Sequence, residues 1–230
     1  MRVSANTAYS ITATSDRALQ ARFVEEKSIP NNHSPWAEPY LQRIIALGLI
    51  PDSLLSQQTD YTQPITREEF AGVVVKAYEA LANTAALPAT ANPFTDTNSI
   101  DVLKAYNTGL MVGRSETQFD PHTLLDRESA ATALSRVFKR ATIPMWTFAT
   151  DSDYPLLFVQ PAPFADDADI SAWAREGVYF MVASGIIQGF GNNTFAPRNV
   201  TSEQESQGYA TATREQALII ALGLVEKLGT

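Results

Sequence analysis

Apolar residues in this chain recur at helical spacing, and three times they fall at the same offsets from an arginine. Three, six, seven, ten, eleven and fourteen residues beyond Arg67 stand Phe70, Val73, Val74, Ala77, Tyr78 and Leu81. The same offsets from Arg127 give Ala130, Ala133, Leu134, Val137, Phe138 and Ala141; from Arg214 they give Ala217, Ile220, Ala221, Leu224, Val225 and Leu228. Positions so spaced share one helical face, so the pattern predicts three amphipathic helices. Thr66, Asp126 and Thr213 precede the arginines as good N-caps. Glu69 and Gln216 complete capping boxes in the first and third copies, and Ser129 weakens the box in the second. Glu68, Glu128 and Glu215 suit the positive end of the helix dipole, whereas an arginine in that turn opposes it by roughly a few tenths of a kcal/mol. An arginine repeated three times at such a place needs a partner. It is either a carboxylate on a neighbouring repeat or, together with the free helix N–H groups, an anionic ligand.

A shorter apolar helix precedes each arginine helix. Leu41, Ile44 and Ile45 lead to Gly48, Val102, Ala105 and Tyr106 to Gly109, and Val178, Met181 and Val182 to Gly185. Each glycine reads as the left-handed residue that ends a helix. Ser34-Pro35-Trp36 is a good start for the first of them. Trp36 and Trp173 both lie twelve positions before their glycines, while the second copy, with a shortened helix, has no tryptophan there. After the glycine come an apolar pair (Leu49-Ile50, Leu110-Met111, Ile186-Ile187), a turn, and then an aromatic and a proline: Tyr61 and Pro64, Phe119 and Pro121, Phe195 and Pro197. Such a loop packs its aromatic under the helix pair. The reading is therefore a mainly α chain of three helix-loop-helix repeats: 34–83, 84–142 and 143–230, behind an N-terminal extension, 1–33, with a helix from Asp16 to Lys27 capped by Ser15. The three repeats form one domain.

Two insertions interrupt the third repeat. Residues 144–163 carry Trp146, Phe148, Tyr154 and Phe158 around Asp151-Ser152-Asp153; they suit a short hairpin that covers the core or, less simply, offers aromatic faces to a sugar. Residues 202–212 are polar with one glycine and read as mobile.

Composition narrows the function. The chain has 230 residues, 45% of them hydrophobic, enough for a sizeable core. It has no cysteine, which removes disulfides, thiolate metal sites and a cysteine nucleophile. A formal charge of -8 argues against nucleic acid and acidic membrane surfaces as partners, so any anionic ligand has to be held by local arginines. No apolar run approaches membrane-spanning length, and Met1-Arg2-Val3 leads into a polar stretch rather than the apolar core of a signal peptide; if the protein is exported, its signal has been cut away or lies outside this chain. Motifs for phosphate-binding loops, nucleophile elbows and zinc proteases are missing. His33 and His122 fall in loops as ordinary polar residues, and Asp166, Asp167 and Asp169 lack the spacing of a calcium loop and read as turn chemistry. No catalytic residue, metal or cofactor is expected. The sequons at Asn32, Asn192 and Asn199 carry no function in this reading.

The third copy, with Phe164-Ala165-Asp166, Trp173-Ala174, Gly185-Ile186-Ile187-Gln188-Gly189, Asn193-Thr194-Phe195-Ala196-Pro197 and Thr213-Arg214-Glu215-Gln216-Ala217, resembles the S-layer homology module. The second keeps Phe94-Thr95-Asp96, Gly113, Phe119-Asp120-Pro121 and its arginine helix; the first keeps Trp36-Ala37, Gly48 and Thr66-Arg67 but lacks the Phe-x-Asp start. The resemblance implies three tandem modules in a pseudo-threefold helical bundle at the bacterial cell surface. It also implies a noncatalytic anchor whose inter-repeat grooves hold an anionic secondary cell-wall polysaccharide, often pyruvylated. Carried over by position, the ligand arginines are Arg67, Arg127 and Arg214, the groove tryptophans Trp36 and Trp173, and the loop glycines Gly113 and Gly189. Asp96 and Asp166 would accept hydroxyl hydrogen bonds. Asp52 stands where the other loops have glycine, so the expectation falls first on a groove using Arg127 or Arg214, whose own repeats keep the glycine. The competing expectation is a degenerate scaffold for a surface-protein partner or self-assembly, with the arginines spent on salt bridges. A glycan-processing enzyme comes third.

Overall fold

A computed structural model describes residue 29 and residues 32–229; the helix expected at Asp16–Lys27 lies outside them. The three short helices are α1 (Glu38–Ala46), α3 (Ile100–Asn107) and α5 (Arg175–Ala183), and the three arginine helices are α2 (Arg67–Ala82), α4 (Arg127–Thr142) and α7 (Arg214–Leu228). A one-turn helix, α6 (Ser202–Ser206), occupies the insertion read as mobile, because Thr201 and Gln204 form a capping box there. All eighteen apolar positions counted from the arginines are buried or half-buried in one core. Thr66, Asp126 and Thr213 each accept the N–H of the third residue onward, with full capping boxes in α2 and α7 and none in α4. Gly48, Gly109 and Gly185 take φ of 69°, 77° and 64°, which glycine adopts without the usual Cβ penalty.

The helices close in a ring. α2, α4 and α7 pack on one another at the centre, and each short helix packs on the arginine helix of the preceding repeat: α3 on α2, α5 on α4, α1 on α7. The glutamate after each arginine fixes that docking. Glu68 accepts the hydroxyl of Thr97, Glu128 the N–H and hydroxyl of Ser171, and Glu215 the N–H and hydroxyl of Ser34. The ring thus runs from repeat to repeat and returns from the third to the first. Ser34 is drawn to Glu215 rather than capping its own helix, so α1 begins at Glu38, after a turn closed by the Ala37 N–H on the Ser34 carbonyl. Thr97 lies twelve residues before its glycine where Ser34 and Ser171 lie fourteen. That two-residue deletion removes the tryptophan position from the second copy.

The aromatic and apolar loop residues Tyr61, Phe119 and Phe195 are fully buried, as packing requires. Gly113 and Gly189 are set by close approach, since a Cβ on Gly189 would meet the Phe164 ring at 2.6 Å and the Thr194 carbonyl oxygen at 2.7 Å, and one on Gly113 the Phe94 ring at 2.7 Å. The glycine and the Phe-x-Asp phenylalanine therefore come as a pair. The first repeat lacks both, and its Asp52 opens a tight turn over Asp52–Leu54 instead. Overpacking of this kind costs about 1–3 kcal/mol, so Gly189→Ala should lower the urea midpoint accordingly; an unchanged midpoint would show that the loop yields.

The 144–163 insertion forms no hairpin. Phe148–Asp153 is a short, kinked helical stretch and the chain to 164 is irregular. Trp146 is fully buried and donates from Nε1 to Asp151 at 2.9 Å, while Phe158 packs against Phe180. The insertion buries Trp146 and packs Leu156 and Phe158 on the core while Met145, Leu157 and Val159 stay exposed; it is held by Lys139, which is 1% exposed and reaches Asp151 and Glu176 at 2.7 Å each.

Candidate ligand-binding cleft

Each arginine reaches out of its own repeat into the loop of the next. Arg67 donates from Nε to the Phe119 carbonyl (3.1 Å) and from Nη2 to that of Val112 (3.0 Å). Arg127 repeats the geometry on Phe195 (2.8 Å) and Gln188 (2.7 Å). Arg214 donates to the Asp60 carbonyl (2.9 Å). The backbone follows the same rule: the N–H groups of Glu68, Glu128 and Glu215 bond the carbonyls of Pro121, Pro197 and Tyr61. The free helix ends are thus occupied by neighbouring loops. This corrects the pairing of arginines with glycines: Arg67 belongs with the Gly113 loop, Arg127 with the Gly189 loop, and Arg214 with the loop that has no glycine.

The three arginines differ in what remains available. Arg214 forms a two-nitrogen bond to Glu69 Oε1, at 3.0 and 2.7 Å, so its charge is spent. Arg127 lies under Phe190, its guanidinium carbon 4.3 Å from that ring and 5.0 Å from Phe195. Burial pushes its pKa down to about 10, and it stays charged at neutral pH. Arg67 meets carbonyl oxygens and the Phe119 ring, and no carboxylate lies within ion-pair distance of it among the described residues. Burial also lowers its pKa.

A cleft of about 450 Å³ opens beside Arg67. Its walls are the second repeat's loop (Leu110 to Arg114), the face of α4 carrying Ser129, Thr132, Ala133 and Arg136, and Trp173 from the start of the third repeat. Three sequence-derived candidates, Arg67, Gly113 and Trp173, come together here. Trp173 is 58% exposed, a free aromatic face. Trp36 is 52% exposed but does not line this cleft, nor do Arg127, Arg214 or Gly189. Asp96 and Asp166 are bound to their own loops: Asp96 accepts the N–H groups of Phe119 and Asp120, and Asp166 those of Phe195 and Ala196. These bonds hold Asp120 and Ala196 at positive φ. They also keep the Asp96 carboxyl below the usual range.

Ser129 and Arg136 escape a reading of single motifs, and the signal for them lies in comparing copies. Two residues after the arginine stand Glu69, Ser129 and Gln216; nine after it stand Lys76, Arg136 and Gly223. Glu69 neutralises Arg214, whereas the short Ser129 leaves the space beside Arg67 empty. A glutamate at 129 should recreate the Glu69–Arg214 pair, worth about 1 kcal/mol at such exposure. Ser129→Glu should then weaken an anionic ligand about fivefold without lowering the thermal midpoint, and unchanged affinity in a titration would contradict the assignment.

Comparison with known proteins matches one part of the chain to a known domain. Residues 163–205 match the model of the S-layer homology domain. The chain is similar to an amylopullulanase of Thermoanaerobacterium thermosulfurigenes (25% identity over 91% of this chain and 10% of that protein). It is likewise similar to the exoglucanase XynX of Acetivibrio thermocellus (25%, over 84% and 16%) and an endoglucanase of Bacillus sp. strain KSM-635 (28%, over 51% and 13%). It spans a tenth to a sixth of the length of these relatives. The matched segment includes Phe164, Asp166, Trp173 and Gly189, and on that match the chain carries an S-layer homology domain at residues 163–205.

Proposed function

We propose that this chain is a noncatalytic cell-surface module, built of three S-layer homology repeats over 34–83, 84–142 and 143–230. In this reading it anchors whatever it is joined to by binding an anionic wall glycan, such as a secondary cell-wall polysaccharide, in the Arg67 cleft. The single observation that carries the reading is Arg67, which has no carboxylate in ion-pair range among the described residues and lines an open cleft that the exposed Trp173 also lines. Arginine grips a carboxylate through two nitrogens, tryptophan offers a flat apolar face to a sugar ring, and the domain match supports a wall polymer as the source of both. Arg67, though only 7% exposed, is the first choice of ligand arginine because it lines the cleft; Arg127 lies under Phe190 and Arg214 is paired with Glu69. Pyruvylation of the glycan would supply the carboxylate, and a uronic acid would serve equally.

The test is co-sedimentation of the purified chain with wall sacculi of the organism that makes it, before and after the wall polysaccharide is stripped. Binding to native sacculi that disappears on stripping is expected. Equal binding to both would refute the glycan reading. The Arg214–Glu69 pair favours a second reading, a repeat scaffold for a protein partner, and binding that survives stripping is the result it predicts.

A further inference from the structure

The wall-glycan reading uses Arg67 and Trp173 but leaves a second cation in the same cleft unexplained. Arg136 lies on α4 seven residues beyond Ser129, which is about 10 Å along a helix. Its guanidinium carbon sits 4.8 Å from the Phe148 ring centre. Its Nε lies 3.7 Å from Asp151 Oδ2, within ion-pair range but too long for a hydrogen bond. That Nε is buried without a partner, and no hydrogen bond from the other guanidinium nitrogens joins it to the described residues. The side chain is 15% exposed. Asp151 shares its Oδ1 between Lys139 at 2.7 Å and the Trp146 indole at 2.9 Å, and its Oδ2 is the oxygen that faces Arg136. Arg114, the third cation of the cleft, is paired with Asp120 at 3.3 Å.

Both residues that hold Arg136, Phe148 and Asp151, come from the 144–163 insertion. The insertion therefore does more than cover the core. It places a planar, charged group in a cleft that Arg67 and the Asp120-paired Arg114 also line. In a chain of net charge -8, two desolvated guanidinium groups line one cleft: Arg67 has no carboxylate in ion-pair range among the described residues, and Arg136 has a 3.7 Å contact to an Asp151 that Lys139 also engages, so a ligand anion would offset part of their desolvation. The equivalent positions in the other copies are Lys76 and Gly223, and neither faces a free arginine.

Resting on the wall-glycan reading, we propose that Arg136 is a specificity-determining residue of the Arg67 cleft, positioned by the 144–163 insertion. The preferred ligand is then a glycan segment with two acidic groups on separate sugar units, one meeting each arginine. The residue touches ligand directly; Phe148 and Asp151 position it.

The experiment uses the full chain and fragments of the wall polysaccharide, released by partial hydrolysis and separated by anion exchange into singly and doubly charged pools. Titration of each pool should show the wild type binding the doubly charged pool at least tenfold more tightly. Arg136→Gln should erase that preference, and Arg136→Lys should restore part of it. Equal affinity of the wild type for both pools would overturn the proposal, as would a preference that survives in Arg136→Gln. Arg67→Gln separates the two readings. If it abolishes binding while Arg136→Gln changes nothing, the cleft stands and the role of Arg136 falls; if Arg67→Gln leaves all binding intact, the wall-glycan site itself falls and takes this proposal with it. Thermal midpoints of each variant exclude unfolding as the cause.

Discussion

Arg67→Gln should cut binding to native sacculi by about 10- to 150-fold, the loss that follows from removing a hydrogen-bonded charge worth about 1.5–3 kcal/mol. Glutamine keeps a donor that can reach toward Val112 or Phe119, so the docking of the second repeat's loop on α2 is largely retained. Lysine in the same place keeps the charge but not the planar fork, and recovery should be partial. The same substitution at Arg214 should leave binding within about twofold and lower stability, since Arg214 spends its nitrogens on Glu69 and the Asp60 carbonyl. Co-sedimentation across a protein concentration series measures both. Equal losses at Arg67 and Arg214 would mean that the open cleft is not what selects the ligand.

The second large effect concerns Lys139. It is fully buried between Asp151 and Glu176, and removing one member of a buried ion pair costs about 3–5 kcal/mol. The carboxylate side chains are 29% and 39% exposed, so Lys139→Met should fall near the lower end, about 3 kcal/mol at neutral pH. The pH dependence discriminates the cause. Burial alone would raise the Asp151 carboxyl, but the hydrogen bonds from Lys139 and Trp146 outweigh it and hold the group below its usual range. A carboxyl depressed in the folded state contributes stability above its unfolded pKa, about 3.9, and loses it as acid protonates it. Without Lys139, two carboxylates face each other in a partly buried site and their affinity for protons rises. The variant's deficit should therefore shrink toward acid pH, while the wild type loses stability there. Urea unfolding at neutral and acid pH reads this; a deficit independent of pH would mean that lost packing, not charge, explains it.

Local features were legible in the sequence because each rests on residues a turn apart. The caps at Thr66, Asp126 and Thr213, the left-handed glycines at 48, 109 and 185, and the apolar faces of α2, α4 and α7 all stand where the spacing puts them. What escaped is the hand-over between repeats. Periodicity reports which residues share a face of one helix and is silent about which neighbour that face meets. So spacing pairs Arg127 and Arg214 with their own glycine loops and makes Glu68, Glu128 and Glu215 dipole partners. Their carboxylates in fact seize the hydroxyls of Thr97, Ser171 and Ser34. The missing tryptophan of the second copy and the missing glycine of the first were visible as departures. Their causes, a two-residue shortening and the absence of the phenylalanine that the glycine accommodates, needed the fold. Asp96 and Asp166 show the converse: a polar residue in a repeated motif suggests a ligand, and in both copies that carry it the carboxylate accepts backbone N–H groups of a loop with a positive-φ residue.

The ligand is assigned to the cleft beside Arg67. Calorimetric titration of the intact chain with a defined fraction of solubilised wall polysaccharide, reading the number of sites, tests this most directly. The expected result is one site per chain, weakened by Ser129→Glu and indifferent to Arg214→Gln. Three sites of similar affinity, or a single site that depends on Arg214 and not on Arg67, would contradict it.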